Sequence, residues 1–88
     1  MWSKNKHRMT TAERKHVDTI KSMSCAVCSE PGPSDAHEIK QGDWWTSIPL
    51  CKSCHTGDNG WHGTKALWRI RKMDELDALS NTIKALLS

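Results

Sequence analysis

The sequence contains no phenylalanine and no tyrosine, and only 36% of its 88 residues are hydrophobic. A chain this short buries a smaller fraction of its surface than a longer one, so an apolar core alone gives it only a small free energy of unfolding. The five tryptophans are the only large aromatic side chains. Four of them could stack on bases, but we expect them to supply core instead: Trp44, Trp45, Trp61 and Trp68. Chains of this size usually need a cross-link, and the four cysteines are the available one.

Long apolar segments are also missing. No stretch approaches the roughly 18 to 20 consecutive apolar residues of a membrane-spanning helix, so we expect no membrane association. The basic residues Lys4, Lys6 and Arg8 are not followed by an apolar run, so the sequence predicts no secretory signal. We therefore expect a cytoplasmic protein, in a compartment where cysteines stay reduced and cysteine pairs more often bind metal.

The four cysteines occur as two Cys-x-x-Cys pairs, Cys25/Cys28 and Cys51/Cys54, with 22 residues between the pairs. Zinc favours four ligands in a tetrahedron, and two intervening residues allow a turn to direct both sulfurs of a pair at one ion. The spacing predicts a structural Zn²⁺ site, closed to substrate. Unbound buried cysteines and a redox pair are the alternatives, although the redox interpretation lacks its accompanying βαβ pattern.

The net charge of +3 is unevenly distributed along the chain. Residues 1–21 carry six basic and two acidic side chains, a net of +4, and residues 65–88 carry five and three, a net of +2. Residues 22–64 carry two basic and five acidic side chains, a net of −3. An acidic centre between basic ends fits a metal site beside phosphate-binding surfaces. A solvated surface of mixed charge explains the pattern equally well.

Local patterns at the N-terminal side predict one domain over residues 10–88, preceded by a flexible basic arm at residues 1–9. Thr10 and Glu13 have the spacing of a capping box, which predicts a helix over residues 11–23. His16 lies on the apolar face of this helix, where a histidine is usually a hydrogen-bonded core residue.

The remaining patterns predict a small α+β fold. Two short strands are expected at residues 36–40 and 46–50, with a turn at residues 41–43 between them. Helices are predicted over residues 64–72 and after Asp74. The last helix carries an apolar stripe that could cover the core or form a dimer interface, made up of Leu76, Leu79, Ile83, Leu86 and Leu87.

Three histidines lie within or just after the cysteine pairs. His37 is on the first predicted strand, His55 directly follows the last cysteine, and His62 comes seven residues later. If zinc gathers the two pairs, His37 is brought close to His55, as a strand-borne general base facing a helix-borne metal ligand. A neutral imidazole with a pKa near 6.5 suits the base role at physiological pH.

A Cys-x-x-Cys pair, a hairpin strand bearing His37 and the run Leu50-Cys51-x-x-Cys54-His55 together resemble the HNH, or His-Me finger, endonucleases. Within that group the chain is most similar to phage recombination-enhancement nucleases and their small phage relatives. The matching segments span most of the chain: residues 12–16, 25–28, 36–39, 48–51, 54–57, 61–63 and 74–79. Ala36 stands where many HNH proteins have a metal-binding Asp or His, and Thr46 stands at the position of the family asparagine.

The resemblance implies a zinc-stapled ββα-metal finger with flanking N-terminal and C-terminal helices. It implies a phage- or prophage-encoded endonuclease that hydrolyses DNA phosphodiester bonds, linked to recombination and acting in a bacterial host cell. His37 would be the general base, and His55 and His62 would bind a catalytic Mg²⁺ or Mn²⁺ ion. The implied partners are DNA and a recombinase filament, with DNA contacts from Lys40, Lys52, Lys65 and Arg69.

Two other functions fit the sequence. One is a non-catalytic zinc-ribbon module that binds nucleic acid through its basic ends. The other is a protein–protein adaptor that uses the leucine stripe of the last helix. A binding module has no need of His37, so this residue discriminates between a module and an endonuclease.

Overall fold

The computed structural model describes residues 8–88, which fold as the small α+β arrangement that the sequence predicts. These residues form two antiparallel strands and four α-helices. The helices are α1 (Thr11–Lys21), α2 (Lys52–His55), α3 (Ala66–Ile70) and α4 (Glu75–Leu86). The strands are β1 (Asp35–Glu38) and β2 (Ser47–Leu50), and one 3₁₀ turn covers Trp44–Thr46. Residues 1–7 of the predicted basic arm lie outside the described part of the chain.

Helix α1 begins with the predicted capping box. The Thr10 hydroxyl accepts a hydrogen bond from the backbone N–H of Glu13 at 3.1 Å, and the Glu13 carboxylate accepts one from the backbone N–H of Thr10 at 2.8 Å. These two bonds satisfy backbone donors that have no partner within the helix. The helix ends at Lys21 rather than residue 23, and it buries Val17 and Ile20.

Strands β1 and β2 pair in an antiparallel register that sets His37 opposite Ile48 and Asp35 opposite Leu50. Strand β1 begins one residue earlier and ends two residues earlier than predicted. It ends early because the chain turns there: the Glu38 carboxylate accepts a hydrogen bond from the backbone N–H of Gly42 at 2.8 Å. Strand β2 begins one residue later than predicted, because Thr46 is the last residue of the 3₁₀ turn over Trp44–Thr46.

The core lies between β2, the two cysteine turns and helices α3 and α4. Trp68 of α3 is its largest buried side chain, and the Trp68 indole N–H donates to the backbone carbonyl of Cys54 at 2.8 Å. The tryptophans are core residues only in part, because Trp45 is 51% exposed. The buried cluster consists of Cys25, Val27, Ile48, Leu50, Cys54, Trp68 and Ala78. Two of the four cysteines, Cys25 and Cys54, are thus part of the core.

His16 of α1 departs from its prediction. It is half-buried, and its ring lies 5.0 Å from the Trp45 ring, measured between centroids. Its Nε2 atom is buried and has no hydrogen-bond partner within residues 8–88, so it is not the hydrogen-bonded core histidine that the sequence predicts. It lies outside the group formed by the other three described histidines.

Helix α4 has the predicted N-terminus at Asp74, but its apolar stripe does not cover the core. The side chains that it buries are Ala78 and Thr82. Leu76 is 68% exposed and Leu87 is 82% exposed, while Leu79 is partly buried against the core. Of the two alternatives for the stripe, covering the core applies only to Leu79, because small residues face β2; the dimer interface stays a prediction. No helix among residues 8–88 combines the length and apolar character needed to cross a membrane.

Replacing Ile48 should destabilise the fold strongly, because its side chain is fully buried in this small core. We expect Ile48→Ala to lower the free energy of unfolding by about 2 to 5 kcal/mol, measured by urea denaturation. Ile70→Ala is the matched control, since Ile70 is 73% exposed, and it should change stability by less than about 1 kcal/mol. Equal losses in the two variants would contradict this description of the core.

Candidate functional site

The two cysteine pairs converge on one point. One ligand atom from each of Cys25, Cys28, Cys51 and Cys54 lies within 4.8 Å of every other, and the sulfurs of Cys28 and Cys51 are 3.6 Å apart. That separation is too long for a disulfide, whose sulfurs lie about 2.05 Å apart. A tetrahedral zinc ion with Zn–S bonds of about 2.3 Å would hold its sulfurs about 3.8 Å apart. The four cysteines are therefore close enough together to bind a zinc ion.

The backbone holds the first cysteine turn against the second. The N–H of Cys25 donates to the carbonyl of Glu30 at 2.8 Å, and the N–H of Ser29 donates to the carbonyl of Cys25 at 3.0 Å. The N–H of Ala26 then donates to the carbonyl of Pro49 in β2 at 2.9 Å. Because β2 leads directly into Cys51, this bond fixes the distance between the two pairs.

The thiols differ in how readily they ionise. Burial raises the pKa of Cys25, but hydrogen bonds from the backbone of Cys28, Cys51 and Val27 outweigh it and lower the pKa to about 7. Burial, followed by the charge of Cys25, raises the pKa of Cys54, and burial also raises the pKa of Cys51. The Cys25 thiolate thus forms easily, and its negative charge opposes ionisation of Cys54. A bound cation would allow all four thiols to ionise.

Strand β1 places Asp35 and His37 on the same face, because side chains two residues apart in a strand point the same way. His37 is buried, with 8% of its side chain exposed. Its Nδ1 lies 3.2 Å from Nε2 of His55, which ends α2. Strand and helix therefore bring together the two histidines that the sequence predicts to meet.

His62 reaches the same place through the loop after α2. The backbone N–H groups of Trp61 and His62 donate to the carbonyls of Cys54 and His55, at 2.9 and 3.0 Å. Gly60 makes this close approach possible, since a Cβ there would lie 2.6 Å from the carbonyl oxygen of Ser53. The loop thus lies directly on α2 and carries His62 to His55.

The three histidines form a second cluster that could hold a metal. One ring nitrogen from each of His37, His55 and His62 lies within 4.8 Å of the others. They line a shallow cleft of about 180 Å³, together with Ala36, Glu38 and Gln41. His37 is buried at its base, and His62 is exposed at its rim. The cleft is open to solvent, so a ligand can reach the ring nitrogens.

Two carboxylates hold the inner histidines in place. A carboxylate oxygen of Glu75, the first residue of α4, lies 2.5 Å from Nε2 of His37. A carboxylate oxygen of Asp35 lies 3.0 Å from Nδ1 of His55 and the other lies 3.2 Å from Nζ of Lys52. The hydrogen bond from His55, then the contact with Lys52, holds the pKa of Asp35 below its ordinary value. Asp35 therefore remains ionised and orients His55.

Glu75 is the site residue that sequence reasoning missed. It is 38 residues from His37, and it resembles an ordinary acidic residue in the first turn of a helix. Only the tertiary position of α4 brings it to the cleft. Asp35 had a detectable signal, because it directly precedes the predicted strand at residues 36–40 and stands two residues before His37.

The basic residues predicted to contact DNA do not form one cluster with the histidines. Lys52 is tied to the site through its ion pair with Asp35. Lys40 is exposed, immediately after β1 and beside Gln41 of the cleft. Nζ of Lys65 lies 4.1 Å from the centre of the Trp61 ring, and Arg69 is exposed on α3.

Comparison with protein-family models, with curated proteins and with solved structures yields no match.

Removing the metal should unfold this domain if zinc binds the four cysteines, because the binding free energy of such a site is folding free energy. We expect a strong chelator to abolish the cooperative thermal transition and to reduce the helical circular dichroism signal. Adding Zn²⁺ back should restore both, and Mg²⁺ at the same concentration should restore neither. A chain that keeps its thermal midpoint after complete removal of zinc would contradict a structural zinc site.

Proposed function

We propose that this protein is a metal-dependent endonuclease of the HNH, or ββα-metal, class that hydrolyses DNA phosphodiester bonds. The observation that supports this most directly is the convergence of His37, His55 and His62 on an open cleft next to the four-cysteine cluster. Three imidazoles with carboxylate partners form a typical setting for metal-assisted hydrolysis.

The order of elements supports the same class. Strands β1 and β2 and helix α2 follow one another as a ββα unit, with His37 on its first strand and His55 at the end of its helix. In this proposal the four cysteines bind a structural zinc ion that holds the unit together. A phage origin, a link to recombination and a recombinase filament as partner rest on the sequence resemblance alone.

The histidines of the cleft have two different roles in this proposal, metal binding and proton transfer. His55 and His62 would hold a divalent ion, Mg²⁺ or Mn²⁺, with phosphate oxygens of DNA completing its ligands. When bound, such an ion stabilises negative charge on the phosphate and on the leaving oxygen. His37 would accept the proton of the attacking water at Nδ1, because its Nε2 is already hydrogen-bonded to Glu75.

Glu75 and Asp35 orient the two rings that this mechanism needs. By accepting a hydrogen bond from Nε2, Glu75 fixes the tautomer in which Nδ1 of His37 carries the free lone pair. Asp35 does the same for His55, leaving Nε2 of that ring free. Glu38, by contrast, holds the turn through Gly42, and Thr46 holds it through the carbonyl of Asp43 at 2.8 Å.

Substrate binding is assigned to four basic residues around this unit, of which Lys65 is half-buried and the other three are exposed. Lys40 and Lys52 flank the histidines in the chain, and Lys65 and Arg69 extend the positive charge along α3. Because DNA carries a dense row of phosphates, such contacts supply sequence-independent affinity.

Cleavage of a supercoiled plasmid tests the endonuclease proposal. With Mg²⁺ or Mn²⁺ present, we expect the protein to nick the plasmid and His37→Ala to lower the rate by about 10² to 10⁴-fold, the usual contribution of a general base. His55→Ala should lower it at least as much. His16→Ala is the matched control, because His16 lies outside the cluster, and it should cleave at the wild-type rate.

Equal cleavage by the protein and His37→Ala would contradict the assignment of His37. If neither cleaves and DNA binding remains, the endonuclease proposal is wrong and the non-catalytic zinc-ribbon module is favoured.

The proposed DNA contacts predict a dependence on salt. Lys65→Ala and Arg69→Ala should each weaken binding to a short duplex and reduce the slope of log affinity against log salt by about 1. Lys15→Ala, on the exposed surface of α1, should leave this slope unchanged. Fluorescence anisotropy at several salt concentrations measures all three. An unchanged slope in both α3-region variants would remove this segment from the DNA interface.

A further inference from the structure

We infer that helix α4 is the interface of a homodimer, in which the α4 helices of two copies of this chain pair antiparallel. The contact is the α4 seam, made up of Leu76, Ser80, Ile83 and Leu87. The occupant of this exposed helix face is therefore a second copy of the same chain. Pairing of the helices does not depend on nuclease activity, so it can be measured separately.

Residues 8–88 leave more leucine and isoleucine side chains exposed than fully buried. The three that are fully buried are Ile20, Ile48 and Leu50, and the five that are exposed are Ile70, Leu76, Ile83, Leu86 and Leu87. Exposed apolar residues scattered singly are normal, but four of these five belong to α4 or to its C-cap. A domain with so small a core gains stability when another chain buries such a surface.

The seam has the spacing of a coiled-coil contact. Its residues follow one another at steps of four, three and four, as alternating d and a positions of a heptad do. At about 100° per residue, all four side chains point within about 60° of one another. Leu76 is 68% exposed, Ile83 46% and Leu87 82%. Leu87 still continues the helix, because its backbone N–H donates to the carbonyl of Ile83 at 3.0 Å.

The seam points away from the rest of the domain. Helix α4 packs on the domain through Ala78 and Thr82, its two buried residues. At about 100° per residue, the direction midway between these two side chains is about 150° from the centre of the seam. A second helix can therefore contact the seam while α4 keeps its place against β2.

Antiparallel pairing makes the seam complementary to itself. With Leu76 of one copy opposite Leu87 of the other, Ser80 stands opposite Ile83, and the small serine leaves room for the larger side chain. Each copy contributes the same four residues, so a two-fold axis relates the copies and the assembly closes as a dimer.

The charges beside the seam favour the same orientation. Asp77 directly follows Leu76 and Lys84 directly follows Ile83, so both charged residues stand on the same edge of the seam. In an antiparallel pair these two edges meet, and Asp77 of each copy lies beside Lys84 of the other. Opposite charges next to the apolar positions are what sets partner and orientation in paired helices.

A parallel pair would lack these contacts. There the edge with Lys84 would face the other edge of the second helix, which carries Leu79 and Leu86. Lys84 would then stand beside the Leu79 side chain instead of a carboxylate. The charge pattern thus distinguishes the two orientations, although the apolar spacing suits both.

The length of α4 limits the affinity of the dimer. Its 12 residues make a helix about 18 Å long. One pair of helices of that length buries less than the roughly 800 Å² per partner of a standard interface. We therefore expect a reversible dimer with a dissociation constant of about 1 to 100 μM.

Sedimentation equilibrium of the full-length protein over this concentration range tests the inference. We expect the mass to rise from that of one 10.0 kDa chain towards twice that value. Leu76→Gln and Leu87→Gln should each weaken the dimer by at least about 100-fold, because each substitution removes two buried leucines from a symmetric contact. Ile70→Gln is the matched control, since Ile70 is exposed but lies outside α4, and it should dimerise as the wild type does.

Reversal of one charge tests the orientation. Lys84→Glu replaces two contacts between opposite charges with two between like charges, and it leaves the seam and the N-cap of α4 intact. We expect it to weaken the dimer about 5 to 30-fold at low salt and less at high salt. Lys15→Glu, the same change on the exposed surface of α1, should have no effect. Circular dichroism should show the wild-type helical signal in every variant.

The mass of a single chain at every concentration would overturn the inference and favour the protein–protein adaptor, in which a different protein covers the seam. A dimer that forms equally well in Leu76→Gln and Leu87→Gln would also overturn it, because the interface would then lie elsewhere. A dimer weakened by both glutamine variants but not by Lys84→Glu would reject the antiparallel arrangement.

Discussion

The convergence of four cysteine sulfurs from two distant turns is the constraint on which the rest of this structure depends. The buried cluster includes Cys25 and Cys54 themselves, so the candidate zinc site and the apolar core occupy the same place. A chain without phenylalanine or tyrosine has little else with which to fill an interior. Joining the two turns also sets β2 beside β1 and fixes where α2 begins, because Cys51 is the residue that precedes α2.

The two side-chain clusters are coupled through adjacent residues. Cys54 points into the core, and the next residue, His55, faces the cleft. The carbonyl of Cys54 accepts hydrogen bonds from the indole of Trp68 and from the backbone of Trp61. A shift of the second cysteine turn would therefore move His55, the loop that carries His62, and α3. The hydrogen bonds to the Cys54 carbonyl thus connect the cysteine cluster to the elements that carry the histidines, and firm placement of its ligands is what a metal or catalytic site requires.

Sequence reasoning succeeded where a local rule determines the result. The capping box at Thr10, the helix start at Asp74 and the pairing of strands around residues 41–43 all depend on neighbouring residues. The meeting of His37 and His55 followed from one long-range assumption, that the cysteines come together. Glu75 could not be found in this way, because no local pattern states which way α4 lies across the sheet.

The orientation of α4 also explains why most of its large apolar side chains, apart from Leu79, face outward. Ala78 and Thr82 are its buried residues. The buried Thr82 hydroxyl donates a hydrogen bond to the backbone carbonyl of Ala78 at 2.8 Å. Small side chains on this face let the helix approach β2 closely, and a leucine there would hold the helix axis farther from the sheet. Glu75 lies one turn before Ala78, so the same close approach delivers its carboxylate to His37. The hydrophobic pattern of α4 left open which face packs on the domain, because the residues that this helix buries are small and contribute little to an apolar stripe.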